Sequence, residues 1–285
     1  MSTVSIIGAG PLGGAVAEAL GRGRRVSRVI LVDDAGEVAA GKALDIQQAG
    51  AVEGFAMRLR GTSDPSLVAG SAVCVIADRH GEPATEWAGE PGRGMMRRLL
   101  PYLGAAPVVF AGTEQAALLQ GAGRDMGLRR ERLLGSCAEA AVGAIKSLVA
   151  AEAHCSPSEV DVTVLGAPPR GLVVPWSGAS IGGYALERVL TQVQLSRLEA
   201  RVPALWPPGP FALGQAAAGV AEALVSASRR TFCLLAVLDG EFGVRHRVGV
   251  LPAVVAAGGL VHARMPTLSA REQVQLDNAL ESAVR

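Results

Sequence analysis

Three glycines, Gly8, Gly10 and Gly13, form a G-x-G-x-x-G string directly after the apolar run Val4-Ser5-Ile6-Ile7. In that setting the first glycine permits a tight turn and the second lets a diphosphate approach the backbone. The third lets a following helix pack close to the strand. Pro11 and Leu12 open that helix, whose N-terminal amides and positive dipole end suit phosphate oxygens. A second apolar run, Val29-Ile30-Leu31-Val32, ends in Asp33, about 20 residues past the loop, as the dinucleotide fingerprint asks. Asp33 would accept hydrogen bonds from an adenosine ribose and repel a 2′-phosphate, which selects NAD over NADP. The same string is compatible with an α/β fold that kept the turn without its ligand.

Strands and helices alternate around these residues. Helical composition follows the loop up to Gly21 and Gly23, and Glu37–Gln48 reads as a second helix. Phe55–Leu59 is expected as a strand, and Ala72–Ile76 as a strand buried on both faces. From Ala77 to Gly94 charge, glycine and proline predict a long loop. A helix over Met95–Leu103, a strand at Pro107–Ala111, a helix over Glu114–Met126, a short strand at Arg132–Leu134 and a long helix over Cys137–Ala153 follow. This alternation argues for a doubly wound parallel sheet, whose ligands sit beyond the strands' C-terminal ends. Gly8, Asp33 and Ala77 all fall there, and Ala77 joins the cofactor-binding set on that ground.

The second half differs. Val160–Leu165 and Leu172–Trp176 read as strands around the proline-rich Ala167–Gly171. Tyr184–Val202 reads as one amphipathic helix, and Gly214–Ser228 as a small-residue helix. Phe232–Val237 and Arg247–Leu251 pair as antiparallel strands. Ser269–Val284 is a terminal helix with a capping box, Ser269 and Glu272.

Composition narrows the function classes. The 285 residues suit two lobes or one large α/β unit, and 49% hydrophobic with 19% charged residues supports a sizeable core. A formal net charge of +1 gives no field favouring nucleic acid or membrane. Cys74, Cys137, Cys155 and Cys233 are widely spaced and sit in or beside apolar segments, as free thiols in a reducing cytoplasm do. There is no metal-ligand spacing, no apolar run of membrane-spanning length and no basic-then-apolar leader. A soluble, cytoplasmic protein is expected.

The order of these features resembles the L-lactate/L-malate dehydrogenase family over nearly the full length. The matching pieces are Ile6–Gly13, Leu31–Asp33, Gly41-Lys42-Ala43-Leu44-Asp45-Ile46, Arg130–Ser136, Val173-Val174-Pro175-Trp176-Ser177, Leu238-Asp239-Gly240-Glu241-Phe242-Gly243 and Leu268–Arg285. Gly41–Ile46 and Leu238–Gly243 are far more specific than the glycine loop. The resemblance implies an NAD-binding Rossmann-type doubly wound sheet over residues 1–135, then a mixed α+β catalytic-type domain over 136–285. It also implies a homodimer or homotetramer, a small organic acid as substrate, and hydride transfer between nicotinamide and a 2-oxo or 2-hydroxy acid. That reaction needs a histidine to move a proton, a carboxylate to orient it, and arginines to clamp the acid.

Those groups are missing where the resemblance places them. The histidine of a G-x-H-G-D segment falls at Pro168 in Gly166-Ala167-Pro168-Pro169-Arg170-Gly171. The L-D-x-x-R pattern falls on Ala140-Ala141-Val142-Gly143-Ala144. The loop arginine of P-G-x-x-R becomes Met95, although Arg93 or Arg97 could substitute after a shift of register. The asparagine of T-N-P falls at Gly112, and T-A-G reads Ala77-Asp78-Arg79. The best replacement acid/base is His80 with Asp78 or Glu82. Glu139 near the lost pair reads as a solvated helix residue, Arg170 as a surface residue or anion ligand, and Cys137 as a packing residue. His154 and His262 are expected to face solvent, and His246 to lie in a hairpin turn. Three functions remain open. The chain binds NAD(H) without ordinary 2-hydroxy acid dehydrogenase activity; or it is an oxidoreductase on another substrate with relocated chemistry; or it is an interaction scaffold.

Overall fold

The structure is a computed structural model, and it describes residues 2–81, 83, 85–169 and 171–282. The first half supplies β1 (Thr3–Ile7), α1 (Pro11–Gly23), β2 (Arg28–Val32), α2 (Gly36–Glu53), β3 (Arg58–Thr62), β4 (Val73–Ile76), a two-stranded hairpin of β5 (Asp78–Arg79) and β6 (Thr85–Glu86), α3 (Gly89–Leu103), β7 (Val108–Phe110), α4 (Ala116–Arg124) and β8 (Leu133–Gly135). The second half supplies α5 (Cys137–Ala153), β9 (Val160–Asp161), β10 (Leu165–Ala167), β11 (Gly171–Val173), β12 (Ser180–Ile181), β13 (Tyr184–Ala185), α6 (Leu186–Val189), α7 (Gln192–Arg201), α8 (Pro210–Val225), β14 (Thr231–Asp239), β15 (Arg245–Ala256), β16 (Gly259–Ala263) and α9 (Ala270–Ser282).

One large sheet runs through both halves in the order β11-β10-β15-β14-β8-β7-β4-β1-β2-β3, with β16 on β15. The stretch β3-β2-β1-β4-β7-β8 is parallel throughout. Its inner strands β2, β1, β4, β7 and β8 are mostly apolar because helices cover both faces, whereas β3 at the edge is not: Val4, Ile6, Val29, Leu31, Val73, Val75, Val108 and Leu134 are fully buried. The chain leaves β1 to one side through β2 and β3, then returns to the other side at β4. That reversal opens a crevice beyond the C-terminal ends of β1 and β4, the place where doubly wound sheets bind ligands. The α/β class with a parallel doubly wound sheet therefore holds.

Several boundaries differ from expectation. Residues 77–94 are not one long loop. They contain the β5–β6 hairpin, and α3 begins at Gly89, six residues before Met95. Pro91 is tolerated there because it falls in the first turn, where its missing N–H costs no hydrogen bond. The third strand is Arg58–Thr62 rather than Phe55–Leu59; Phe55 is buried against Gly21 and Gly50 instead. The helix expected over Tyr184–Val202 is two helices, because the Thr191 side chain caps a new one and forms a capping box with Gln194. Val160–Leu165 and Leu172–Trp176 shorten to β9, β10 and β11, and β16 was not anticipated.

Four of the motifs that carried the resemblance fasten distant elements together, in two pairs. Arg130, just before β8, donates to Glu241 beyond β14 at 2.7 Å. Ser177 donates its amide and its hydroxyl to Glu272 on α9, at 3.0 and 2.6 Å. The same Glu272 accepts the Ser269 amide and hydroxyl, so the expected capping box is present.

Candidate functional site

The glycine loop joins β1 to α1 at the crevice. Gly8 has φ +114°, a conformation that side chains rarely adopt, and a Cβ on Gly13 would strike the Gly8 carbonyl. The turn and the close helix packing read from the sequence are thus both present. Helix α1 has no side-chain cap of its own, since Gly10 is its N-cap and Pro11 lacks an N–H. The free donors of its first turn are the Leu12 and Gly13 amides.

Both amides are taken by the chain itself. Asp78, on β5, accepts Leu12 N–H at 3.0 Å with Oδ2 and Gly13 N–H at 2.9 Å with Oδ1. A Cβ on Gly10 would run into this carboxylate, so the space that Gly10 opens is filled by Asp78. The Asp78 carbonyl also accepts Gly10 N–H at 3.0 Å. Burial pushes the Asp78 carboxyl above its ordinary range, while the two amides and nearby Lys42 oppose that shift. Lys42, on α2, donates to the Gly10 carbonyl at 2.9 Å. Burial draws its ammonium below the usual lysine value, with Asp78, Asp33 and Asp45 pulling the other way.

Asp33 is similarly engaged. Its Oδ2 accepts the amides of Ala9 (2.7 Å) and His80 (2.9 Å), and its Oδ1 accepts that of Ala35 (2.9 Å). On the far side of Asp33, beyond β2 and β3, Trp87 is buried beside Met95 and Leu99. The cavity left among Ile7, Val32, Asp33, Ser63, Trp87 and Leu99 is about 20 Å³, room for about one water. The Trp87 ring lies under the Arg79 guanidinium at 5.9 Å, and its Nε1 is buried with no hydrogen-bond partner among the described residues.

The other end of the crevice is closed by Glu86 on β6. Its Oε1 accepts the Thr113 amide and hydroxyl at 2.8 and 3.1 Å, and its Oε2 accepts the Glu114 amide at 2.8 Å. A Cβ on Gly112 would meet this carboxylate. Buried Gln115 accepts the Gly112 amide and donates to the Ala77 carbonyl, both at 2.9 Å. Ala77, Gly112 and the hairpin are thus tied at one end of the sheet.

Among the described residues, His80, Asp78 and Arg93, suggested for proton transfer, make no hydrogen bond or ion pair with one another. The His80 side chain is exposed while its amide is bound to Asp33, and Asp78 is committed to the glycine loop. Arg93 pairs with Glu90 on its own helix at 2.7 Å. Met95 is buried. Glu82 and Arg170 lie outside the described residues. Ala141 is buried, and Pro168 follows β10. Glu139, expected to be solvated, is instead mostly buried. It accepts the Cys233 amide at 2.9 Å, and burial pushes its carboxyl upward against that amide, Lys146 and Arg230. Cys137 is a buried packing residue, its thiol pushed up to about 12 by burial and by Glu86. His154, His246 and His262 are exposed. Glu86, Trp87, Lys42 and Gln115 were not singled out as site residues. Only Lys42 carried a signal, as one of the chain's two lysines inside a family-like segment.

No family model matches the chain. Among curated proteins it is similar to the malate dehydrogenase of Pseudomonas putida (strain GB-1), 26% identical across 100% of this chain and 97% of that protein. Among solved structures it matches the malate dehydrogenase from Aeropyrum pernix with TM-score 0.89 at 21% identity, covering 98% of this chain and 95% of that one. It matches equally well the lactate dehydrogenase from Cryptosporidium parvum complexed with lactic acid and nicotinamide adenine dinucleotide. There the TM-score is 0.88 at 21% identity, over 99% and 96% of the two chains. The family resemblance and the fold class read from the sequence are borne out.

Proposed function

We propose that this chain, which belongs to the L-lactate/L-malate dehydrogenase family, is an NAD(H)-binding member without ordinary 2-hydroxy acid dehydrogenase activity. One observation carries the second part of that reading. The positions that the family resemblance assigns to the proton-transferring histidine, its carboxylate and the substrate arginine are Pro168, Ala141 and Ala144, and no imidazole–carboxylate pair among the described residues replaces them at the crevice. Without a donor positioned at the carbonyl oxygen, an alkoxide has no route to its proton. Without a guanidinium, a substrate carboxylate has no bidentate partner.

NAD is the cofactor that the scaffold supports. Gly8, Gly10 and Gly13 shape the loop, the Leu12 and Gly13 amides would hold the diphosphate, and Asp33 would take the adenosine ribose while repelling a 2′-phosphate. Ala77 borders the same crevice. With Asp78 on those two amides the diphosphate does not fit, so the cofactor's place opens only when that carboxylate leaves. When bound, NAD supplies a hydride acceptor or donor.

The division into residues 1–135 for the dinucleotide and 136–285 for a second ligand belongs to the same reading, as does assembly into a homodimer or homotetramer. The test is an assay of purified protein with malate, lactate, oxaloacetate, pyruvate and other 2-oxo acids. Absence of turnover with every acid is expected. Robust malate turnover would overturn the reading and show that Pro168 does not stand at the histidine's place.

A further inference from the structure

Resting on the reading that the scaffold takes NAD(H), we propose that the β5–β6 hairpin is a built-in occupant of the dinucleotide cleft, so that cofactor enters only by displacing it. The match is made group by group. The Asp78 carboxylate presents two oxygens to the Leu12 and Gly13 amides, the same donors that a diphosphate needs. The His80 amide donates to Asp33, as a ribose hydroxyl does. The Trp87 ring, next after β6, lines a cavity of about 20 Å³ beside Asp33, room for a water and too small for a nucleobase. Glu86 takes the Thr113 and Glu114 amides at the end opposite the adenosine side. One short segment therefore carries an anion, a hydrogen-bond donor and a planar aromatic ring, in places where a dinucleotide presents the same three.

The hairpin is also fastened to itself. Arg79 donates to the Thr85 hydroxyl at 2.6 Å and lies over Trp87, so release of Asp78, Glu86 and Trp87 is linked. A carboxylate that served only to cap α1 would explain Asp78. It would not explain Glu86 on a second set of amides, nor the His80 amide on Asp33.

Two measurements test this. In ligand-free wild-type protein the Leu12, Gly13, Thr113 and Glu114 amides exchange slowly with solvent, and Asp78→Ala frees Leu12 and Gly13. Titration with NADH gives at least tenfold tighter binding to Asp78→Ala than to wild type. If Asp78→Ala folds poorly, Asp78→Asn, which removes the charge and keeps the shape, shifts affinity in the same direction by a smaller factor. Equal NADH affinity in wild type and both variants overturns the proposal, as does free exchange of Leu12 and Gly13 in the wild type. Slow exchange in the wild type with no NADH binding to any form instead refutes the NAD reading itself, and the competition with it.

Discussion

His80 and Ala9 donate their backbone amides to one and the same carboxylate oxygen of Asp33, at 2.9 and 2.7 Å. The imidazole takes no part in that contact and is exposed. Removing it therefore changes nothing at the crevice. His80→Ala is expected to leave NADH affinity within twofold of the wild type, measured by fluorescence titration. A tenfold loss would give the imidazole a role that its position does not.

Asp33→Ala removes an acceptor shared by three buried or half-buried amides, those of Ala9, Ala35 and His80. Leaving such donors unpaired costs about 2–3 kcal/mol. The measurement is the urea midpoint of the ligand-free protein. An unchanged midpoint would mean that water replaces the carboxylate without loss.

Acid should weaken the α9 clamp. Burial alone would raise the Glu272 carboxyl, but the hydroxyl and amide of Ser177 and those of Ser269 outweigh it and bring it to about 2, from an ordinary 4.5. A carboxyl depressed in the folded state contributes its full stability above the unfolded value and loses it as pH falls through the folded one. The contribution of Glu272, roughly 3 kcal/mol, is thus present above pH 4.5 and lost progressively toward pH 2. Glu272→Gln should lower stability at neutral pH and flatten that acid limb in urea melts taken across the range.

Arg130 and Glu241 join the loop before β8 to the turn after β14 while both are largely shielded from water. Removing the guanidinium strands the carboxylate, whereas removing both charges does not. Arg130→Met is expected to cost about 3 kcal/mol, and adding Glu241→Gln should recover much of it. A double-mutant cycle by urea denaturation gives the coupling; additive losses would contradict it.

Thiol reactivity should single out one cysteine. Burial pushes the thiols of Cys74, Cys137 and Cys233 up to about 12, and the thiolate is the reactive form. Cys155, only half-buried, is expected to be the one labelled by iodoacetamide in native protein at neutral pH, as read by peptide mass spectrometry. Rapid labelling of Cys137 would show that the helix N-terminus dominates burial there.

Much of the fold was legible because its signals are local. The glycine turn, the apolar runs of β1, β2 and β4, the small residues of α8 and the Ser269–Glu272 cap each rest on neighbours in the chain. What failed depended on partners far away. Residues 77–94 look like a loop because charge, glycine and proline break the apolar pattern there, yet amides on α1 and before α4 hold Asp78 and Glu86 in place. Glu139 looks like a solvated helix residue, and only β14 buries it. The segments that made the family recognisable, around Arg130, Ser177, Glu241 and Glu272, proved to be structural fasteners.

By itself the sequence determined a dinucleotide-type loop at Gly8–Gly13 with an acidic residue at Asp33, because turn geometry and strand-end placement follow from residue type over short spans. Only the tertiary structure decided what the loop holds. Asp78 lies 65 residues from Gly13 in sequence and reaches it because β4 pairs beside β1, which brings the two strand ends to the same crevice. No local pattern encodes that a carboxylate released there will find the helix amides first.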